Sequence, residues 1–192
     1  MTRIDELEVK ARVDDPPTLA RALVAAGARL VFRGTMHDRR FDREDTLEVR
    51  NEVVRLREYR PAGGAAGWGV LGWKGPVGAR DGYRHRAEAE TRVDDPAAAL
   101  VLLERLGLTV SLCIDREIEQ YELGDAILRV ERYPGMDTLI EVEGPPAAIE
   151  RAIAATGMPR PAFLPESLPH FVAEYERRTG RRARLAATDP QA

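Results

Sequence analysis

ELEVKARVDDP, residues 6–16, returns 80 positions later as RAEAETRVDDP, residues 86–96. At that offset Glu8 matches Glu88, Arg12 matches Arg92, and Val-Asp-Asp-Pro matches in full. In each copy charged and small or apolar residues alternate, the period of a β-strand. In the first copy the alternation stops at Asp-Asp-Pro, and TLARALVAAGA follows, an Ala/Leu-rich stretch with Leu19, Leu23 and Val24 at helical spacing and Gly27 as its stop. The register persists beyond the turn, because Leu23 matches Leu103 and Gly27 matches Gly107. A strand, a turn, a helix and a terminal glycine in one register predict two similar halves, each a strand, a helix and then further strands.

The remaining strands follow from the same pattern. RLVFRGTMHDRRFD, NEVVRLREYRP, WGVLGWKGP and YRHRAEAETRV read as strands in the first part, with AGGAAG (62–67) as a loop. LTVSLCIDREIEQYEL, AILRVERYP and TLIEVEG follow as strands, then helices at PPAAIERAIAATG and SLPHFVAEYERRTG. About eight strands joined by hairpins and short helices predict an α+β fold with an antiparallel sheet. Residues 1–180 are expected to form one domain, and the Arg/Ala-rich stretch 181–192 a frayed tail. At 192 residues, 44% hydrophobic and 32% charged, the chain suits one globular unit. No run of about 18 apolar residues predicts a membrane span. MTRIDE lacks an apolar leader core, and the single cysteine, Cys113, excludes an intramolecular disulfide, so a cytoplasmic protein is expected. A net charge of −3 argues against a nucleic-acid-binding surface, and a monomer or homodimer is expected. His37, His85 and His170 lack metal-ligand spacing. Trp68 and Trp73 could stack on a base at a tunnel mouth, but packing beneath the helices is the expectation. Of 29 basic residues only Lys10 and Lys74 are lysines, which marks them as places where a compact ammonium matters.

Alternate residues of a strand share one face. Glu6, Glu8 and Lys10 therefore stand together, as do Arg55 and Arg57, and Arg84, Arg86, Glu88 and Glu90. Lys74, Arg116, Arg129 with Glu131, and Glu141 with Glu143 complete the set. Nearly every strand has one charged and one apolar face. An open sheet would turn the charged face to water. Closure into a barrel would instead bury it in a lumen wide enough for one small ligand. The faces carry almost only Arg, Lys and Glu, with like charges side by side, an arrangement unfavourable without opposite charge between them. Paired glutamates suit hard divalent cations such as Mg²⁺ or Mn²⁺, and paired arginines suit a polyanion.

Glu-x-Glu-x-Lys in ELEVK resembles the signature of the CYTH superfamily, the triphosphate tunnel metalloenzymes. VVRLREY resembles its Arg-x-Arg strand, GWKGP its Lys-Gly-Pro strand, RAEAE its Arg-x-Glu-x-Glu strand, DREIEQY its Arg-x-x-Tyr-type strand and TLIEVEG its closing Glu-x-Glu strand. DRRFD (38–42) is similar to its D-x-Y-F-D stretch, with Arg40 in the aromatic position. The resemblance implies an eight-stranded antiparallel closed β-barrel, a tunnel, built from two similar halves with helices outside. It implies Glu6, Glu8, Glu141 and Glu143 as metal ligands, with Glu131 at a second-metal position that is usually Asp. It implies Lys10, Arg55, Arg57, Lys74, Arg86 and Arg116 as phosphate ligands, with Glu6, Glu8 and Lys10 forming the catalytic core. Glu88, Glu90, Arg84 and Arg129 are supporting candidates. Ile114 stands where the family often has a basic residue, and the His-Phe stretch of some class IV adenylate cyclases has no counterpart in MTRID.

The leading expectation is a divalent-metal-dependent hydrolase of inorganic triphosphate, thiamine triphosphate or a nucleoside triphosphate, in which activated water attacks the terminal phosphorus. Adenylate cyclase chemistry on the same scaffold is the alternative. A non-catalytic polyphosphate- or nucleotide-binding module is the second. LPESLPHF is expected to close one tunnel end, bringing Ser167 or His170 to the substrate.

Overall fold

The computed structural model describes residues 4–187. Its elements in chain order are β1 (Ile4–Val13), α1 (Pro16–Ala25), β2 (Arg29–Asp42), α2 (Thr46–Val49), β3 (Val53–Pro61), β4 (Trp68–Lys74), β5 (Gly78–Arg80) and β6 (Tyr83–Val93). There follow α3 (Pro96–Arg105), β7 (Thr109–Leu123), β8 (Ala126–Arg132), β9 (Thr138–Glu143), α4 (Pro146–Thr156), a 3₁₀ turn (Arg160–Ala162) and α5 (Leu168–Thr179). The short β5 and α2 are additions to the sequence reading. Each is too brief to carry a hydrophobic period.

Strand order β1-β9-β8-β7-β2-β3-β4-β6 returns to β1 through a β1–β6 pairing, so eight antiparallel strands close a barrel and β5 pairs only with β6. The two copies of the repeated stretch make the closing seam. Glu6 stands opposite Arg86, its own counterpart at the offset of 80, and the pairs run out symmetrically to Glu8–Arg84 and Ile4–Glu88. The β2–β7 pairing is centred in the same way on Met36 opposite Arg116, also 80 apart. A pseudo-twofold axis therefore passes through both pairings.

Local chemistry matches across the axis. Asp15 accepts from Thr18 N at 3.1 Å and caps α1, and Asp95 accepts from Ala98 N at 2.9 Å and caps α3. In each case proline occupies the first turn, where its missing N–H costs nothing. Leu19 and Leu23 of α1 are buried, as are Ala99 and Leu103 of α3. Gly27 (φ +85°) and Gly107 (φ +81°) end the helices in the left-handed region, where a Cβ would be strained.

The apolar face of the barrel points outward. Leu7, Val9 and Ala11 of β1, Leu128 and Val130 of β8, and Ile140 and Val142 of β9 pack against Leu19 and Leu23 of α1 and Ile149 and Ile153 of α4. Phe41 and Leu56, with Val54 and Leu71, are covered by Ala99 and Leu103 of α3. One end of the lumen holds an apolar plug in which Phe32, Met36, Tyr59, Trp68, Val70 and Ile118 meet. Tyr59 stacks on Trp68 with centroids 5.3 Å apart, and Phe32 meets both edge-on. Trp68 thus lies on the inner face of β4 and not beneath a helix as expected, because the period-2 rule places it with Val70 and Lys74.

At the opposite end Leu168 and Phe171 of α5 cover Ile114, Tyr133 and Leu139. The tail expected to fray from Arg181 is tied down as far as Ala187. Arg184 and Gly135 exchange backbone hydrogen bonds at 3.0 and 3.1 Å, Asp115 N donates to Leu185 O at 2.7 Å, and Leu185 packs on the α5 cluster. Composition gave no sign of this pairing, which depends on one leucine, backbone groups and the carboxylates of Asp115 and Glu176. Residues 188–192 lie outside the described part. No helix among the described residues is long and apolar enough to cross a membrane.

Candidate functional site

The charged face lines the lumen. β2 contributes Asp38 and Arg40, β3 Arg55 and Arg57, and β4 Lys74. β6 contributes Arg84, Arg86, Glu88 and Glu90, and β7 contributes Arg116. Arg129 and Glu131 come from β8, Glu141 and Glu143 from β9, and Glu6, Glu8 and Lys10 from β1. Among the described residues this is nine cations against eight carboxyl groups. A cavity of about 500 Å³ opens at the end where α5 lies, with Asn51, Val77, Leu112 and Ser167–Pro169 at its rim. That volume is in the range of small-ligand sites. Its walls include Glu8, Lys10, Arg55, Arg57, Lys74, Arg116, Glu131 and Glu141; Glu6, Glu88, Glu90 and Glu143 are not among them.

The two lysines bridge acids drawn from different strands. Lys10 donates to Glu8 at 3.1 Å and to Glu141. Lys74 donates to Glu6 at 2.6 Å and is ion-paired with Glu88. Arg84 reaches Glu8, Arg57 reaches Glu90, and Arg55 reaches Glu90 at 3.2 Å. Arg129 meets Glu141 at 2.7 Å and Glu143 at 3.2 Å.

The carboxyl oxygens of Glu6, Glu8, Glu141 and Glu143 lie within 4.8 Å of one another, so the four residues offer converging hard oxygen donors. Burial opposes charge throughout, and the acids respond in pairs. Burial and a hydrogen bond shared with Glu6 push Glu88 up to about 7, although Lys74 and Arg55 pull it down. Glu6 is held well below the usual carboxylate range, against burial, by Lys74 and Glu88. Burial and Glu141 push Glu143 well up, whereas Lys10, a hydrogen bond from Glu143 and Arg129 hold Glu141 well down against burial. Opposite shifts within a pair are those of acids that would share a proton, and a divalent cation among Glu6, Glu8, Glu141 and Glu143 would supply positive charge instead. The donor set therefore fits a hard divalent cation of the Mg²⁺ or Mn²⁺ kind.

Glu131 does not join that cluster. It is 1% exposed, accepts from Arg116 at 2.9 Å and from Tyr133 Oη at 2.6 Å, and buttresses Arg116. Arg116 also donates to Asp38 at 3.1 Å and to Tyr133 at 3.2 Å. Asp38, Arg40, Tyr133 and Gln120, which accepts from Arg129 at 3.3 Å, went unassigned in the sequence reading of the site. The signal for Asp38 and Arg40 was the same period-2 rule. It was masked because the earlier inward positions of β2, Phe32 and Met36, are apolar and belong to the plug.

Buried guanidinium Nε–H groups of Arg40, Arg55, Arg57, Arg84 and Arg116 have no hydrogen-bond partner among the described residues. Orphaned donors of this kind cost free energy and are rare in folded proteins, so a set of five around one lumen points to an anion. Ser167 reaches the rim as expected. His170 is turned outward, 4.0 Å from Glu166. His37 pairs with Asp115 at 2.9 Å on the outer face of β2 and β7.

The sequence matches no protein-family model and no curated protein. Solved structures do match. A proposed adenylate cyclase of Vibrio parahaemolyticus is 19% identical with a TM-score of 0.72, over 88% of this chain and 97% of that one. The PH1819 protein of Pyrococcus horikoshii OT3 is 20% identical with a TM-score of 0.71, over 88% and 98%. HpAC1 of Hippeastrum, a proposed adenylyl cyclase described as having a dominant triphosphatase activity, is 18% identical with a TM-score of 0.63, over 94% and 98%. With the closed two-half barrel and its charged lumen, these likenesses show that the chain shares the fold of these proteins.

Proposed function

We propose that this protein hydrolyses a triphosphate-bearing substrate inside its barrel with the help of a divalent cation. The observation that carries the reading is the pairing, in one lumen, of four converging glutamates with a ring of arginines whose Nε–H groups lack partners. A pure anion receptor gains nothing from converging acids. A structural charge network would satisfy its donors. The likeness to HpAC1, with its dominant triphosphatase activity, supports hydrolysis over cyclisation.

Lys10, Arg55, Arg57, Lys74 and Arg116 would receive phosphate oxygens, and each is held in place by a lumen carboxylate. Glu6, Glu8, Glu141 and Glu143 would hold the cation, which supplies charge neutralisation and activation of water when bound. Glu131 and Asp38 would keep Arg116 in a fixed orientation, so that no reorganisation is needed as charge develops on the leaving phosphate oxygens. Lys10 lies between Glu8 and Glu141 and so links the metal candidates to the phosphate candidates.

Purified protein given inorganic triphosphate, thiamine triphosphate or ATP, each with Mg²⁺ or Mn²⁺, is expected to release phosphate. Cyclic AMP from ATP with no phosphate from triphosphate would establish cyclisation instead. Glu8→Gln is expected to lower turnover at least roughly a hundredfold while triphosphate still binds in the absence of metal. Unchanged turnover would remove Glu8 from the metal site.

A further inference from the structure

α3 is apolar nearly all the way round, since PAAALVLLER carries no charge before Glu104. One stripe, Ala99 and Leu103, is buried on the barrel. A second faces outward: Ala98, Val101, Leu102 and Arg105, with the C-cap Leu106, recur at i, i+3, i+4, i+7 and i+8. Val101, Leu102 and Leu106 are 52%, 63% and 64% exposed. A helix with apolar residues on both faces is ordinarily covered on both.

The pseudo-twofold axis supplies an internal comparison. At the offset of 80, α1 carries Arg21, Ala22 and Ala26 where α3 carries Val101, Leu102 and Leu106. α1 has a neighbouring helix, because Leu19 and Leu23 share a cluster with Ile149 and Ile153 of α4. α4 follows β9 in the second half, whereas the first half has only the short β5 after β4. α3 is left without such a neighbour and makes its main contacts with β3 and β4. The large apolar side chains thus stand on the helix that nothing covers, and the small or charged ones on the helix that has a partner. Exposure to solvent alone favours the reverse.

The outward stripe is also complementary to itself. Asp94 and Asp95 precede the helix. Arg105 stands at its far end, together with Arg43, which donates to the backbone carbonyls of Leu106 and, at 3.3 Å, of Gly107. Two copies crossing antiparallel about a twofold axis at Leu102 would set each acidic start beside the basic end of the other and oppose the helix dipoles. They would also bring Leu106 onto Ala98 of the second copy, since both lie four residues from Leu102. A large side chain against a small one is how helix faces interdigitate.

We propose that α3 is a homodimer interface, in which two copies of this chain pair α3 against α3, antiparallel, across a twofold axis near Leu102. Ten residues span about 15 Å, which falls short of the roughly 800 Å² per partner of a standard interface, so the dimer is a weak one with a roughly micromolar dissociation constant.

The test is sedimentation velocity of the full chain over roughly 1 to 200 µM, where mass action exposes such an equilibrium. The average mass is expected to rise with concentration from 21.3 kDa toward twice that value. Val101→Arg/Leu102→Ala/Leu106→Ala gives α3 the residues that α1 carries. It should sediment as a monomer throughout and, at low concentration, melt within about 3 °C of wild type. A second measurement does not depend on how that variant folds. In a Cys113→Ser background, Leu102→Cys should form a disulfide-linked dimer under mild oxidation with diamide, and Val24→Cys, a residue 60% exposed on α1, should not. A monomeric wild type at the highest concentration would overturn the proposal and leave the stripe to another partner. A mass beyond two chains would do so as well, because it means an open, head-to-tail contact. So would a dimer that survives the triple substitution, or cross-linking at Leu102→Cys no greater than at Val24→Cys.

Discussion

Lys10 and Lys74 are the two lysines among 29 basic residues, and each sits between two glutamates from different strands. A compact ammonium with three donors can serve two carboxylates at once and still reach a third acceptor. The opposite shifts of Glu6 and Glu88 have a consequence for stability. Glu88 is raised from 4.5 to about 7, so the folded protein binds more protons than the unfolded chain between those values. Its contribution to stability is fully present below about pH 4.5 and is lost as pH rises through 7. Glu143, also raised, acts in the same direction, while Glu6 and Glu141, lowered, are already ionised across this window. Metal-free protein should therefore melt at progressively lower temperature from pH 5 to pH 8, and Glu88→Gln should flatten part of that slope. An unchanged slope would mean that the pair does not share a proton. The charged residues of this site were legible one strand at a time, because alternation alone puts Glu6, Glu8 and Lys10 on one face. Which acid meets which base was not legible, since the partners of Lys74 are 68 and 14 residues away.

At the scale of the element, the strand–turn–helix unit is the clearest message of the sequence, and it works twice by the same local means. Asp15 and Asp95 each satisfy a backbone N–H that the first helical turn would leave unpaired. Asp95→Ala should cost about 1 kcal/mol, a fall in melting temperature of roughly 2–4 °C for a chain of this size, with turnover unchanged. A loss of activity at constant stability would instead tie α3 to the site. Phe171 on α5 is buried against Ile114 and Leu139 at the covered end of the barrel, and Phe171→Ala should destabilise by about 3–5 kcal/mol in chemical denaturation. The C-terminal strap shows the limit of pattern reading. Its hold on Gly135 and Asp115 is made largely by backbone groups, which carry no residue-specific signal, with Ala187 N also donating to the Asp115 carboxylate at 3.2 Å.

The whole molecule reverses the usual arrangement of a small domain, with apolar strand faces outward under helices and ionic faces inward. Buried ion pairs seldom stabilise relative to apolar packing, so a lumen of nine cations and eight carboxyl groups is a cost that binding of the proposed ligand would offset. Triphosphate at about a hundred times its dissociation constant should add about 2.7 kcal/mol, which raises the melting temperature by roughly 5–10 °C. Added Mg²⁺ should raise it further, and the shifts should shrink in Arg55→Ala/Arg57→Ala. No shift with either ligand would mean that the lumen charges serve each other alone. The sequence by itself determined the strands, the two capped helices of the repeat and the charged face of each strand, because these depend on residues a few positions apart. Only the tertiary structure decided which strands pair to close the sheet, with β1 meeting β6, and how the four glutamates converge. Those outcomes depend on register between strands some 80 to 130 residues apart, which alternation along one strand does not encode.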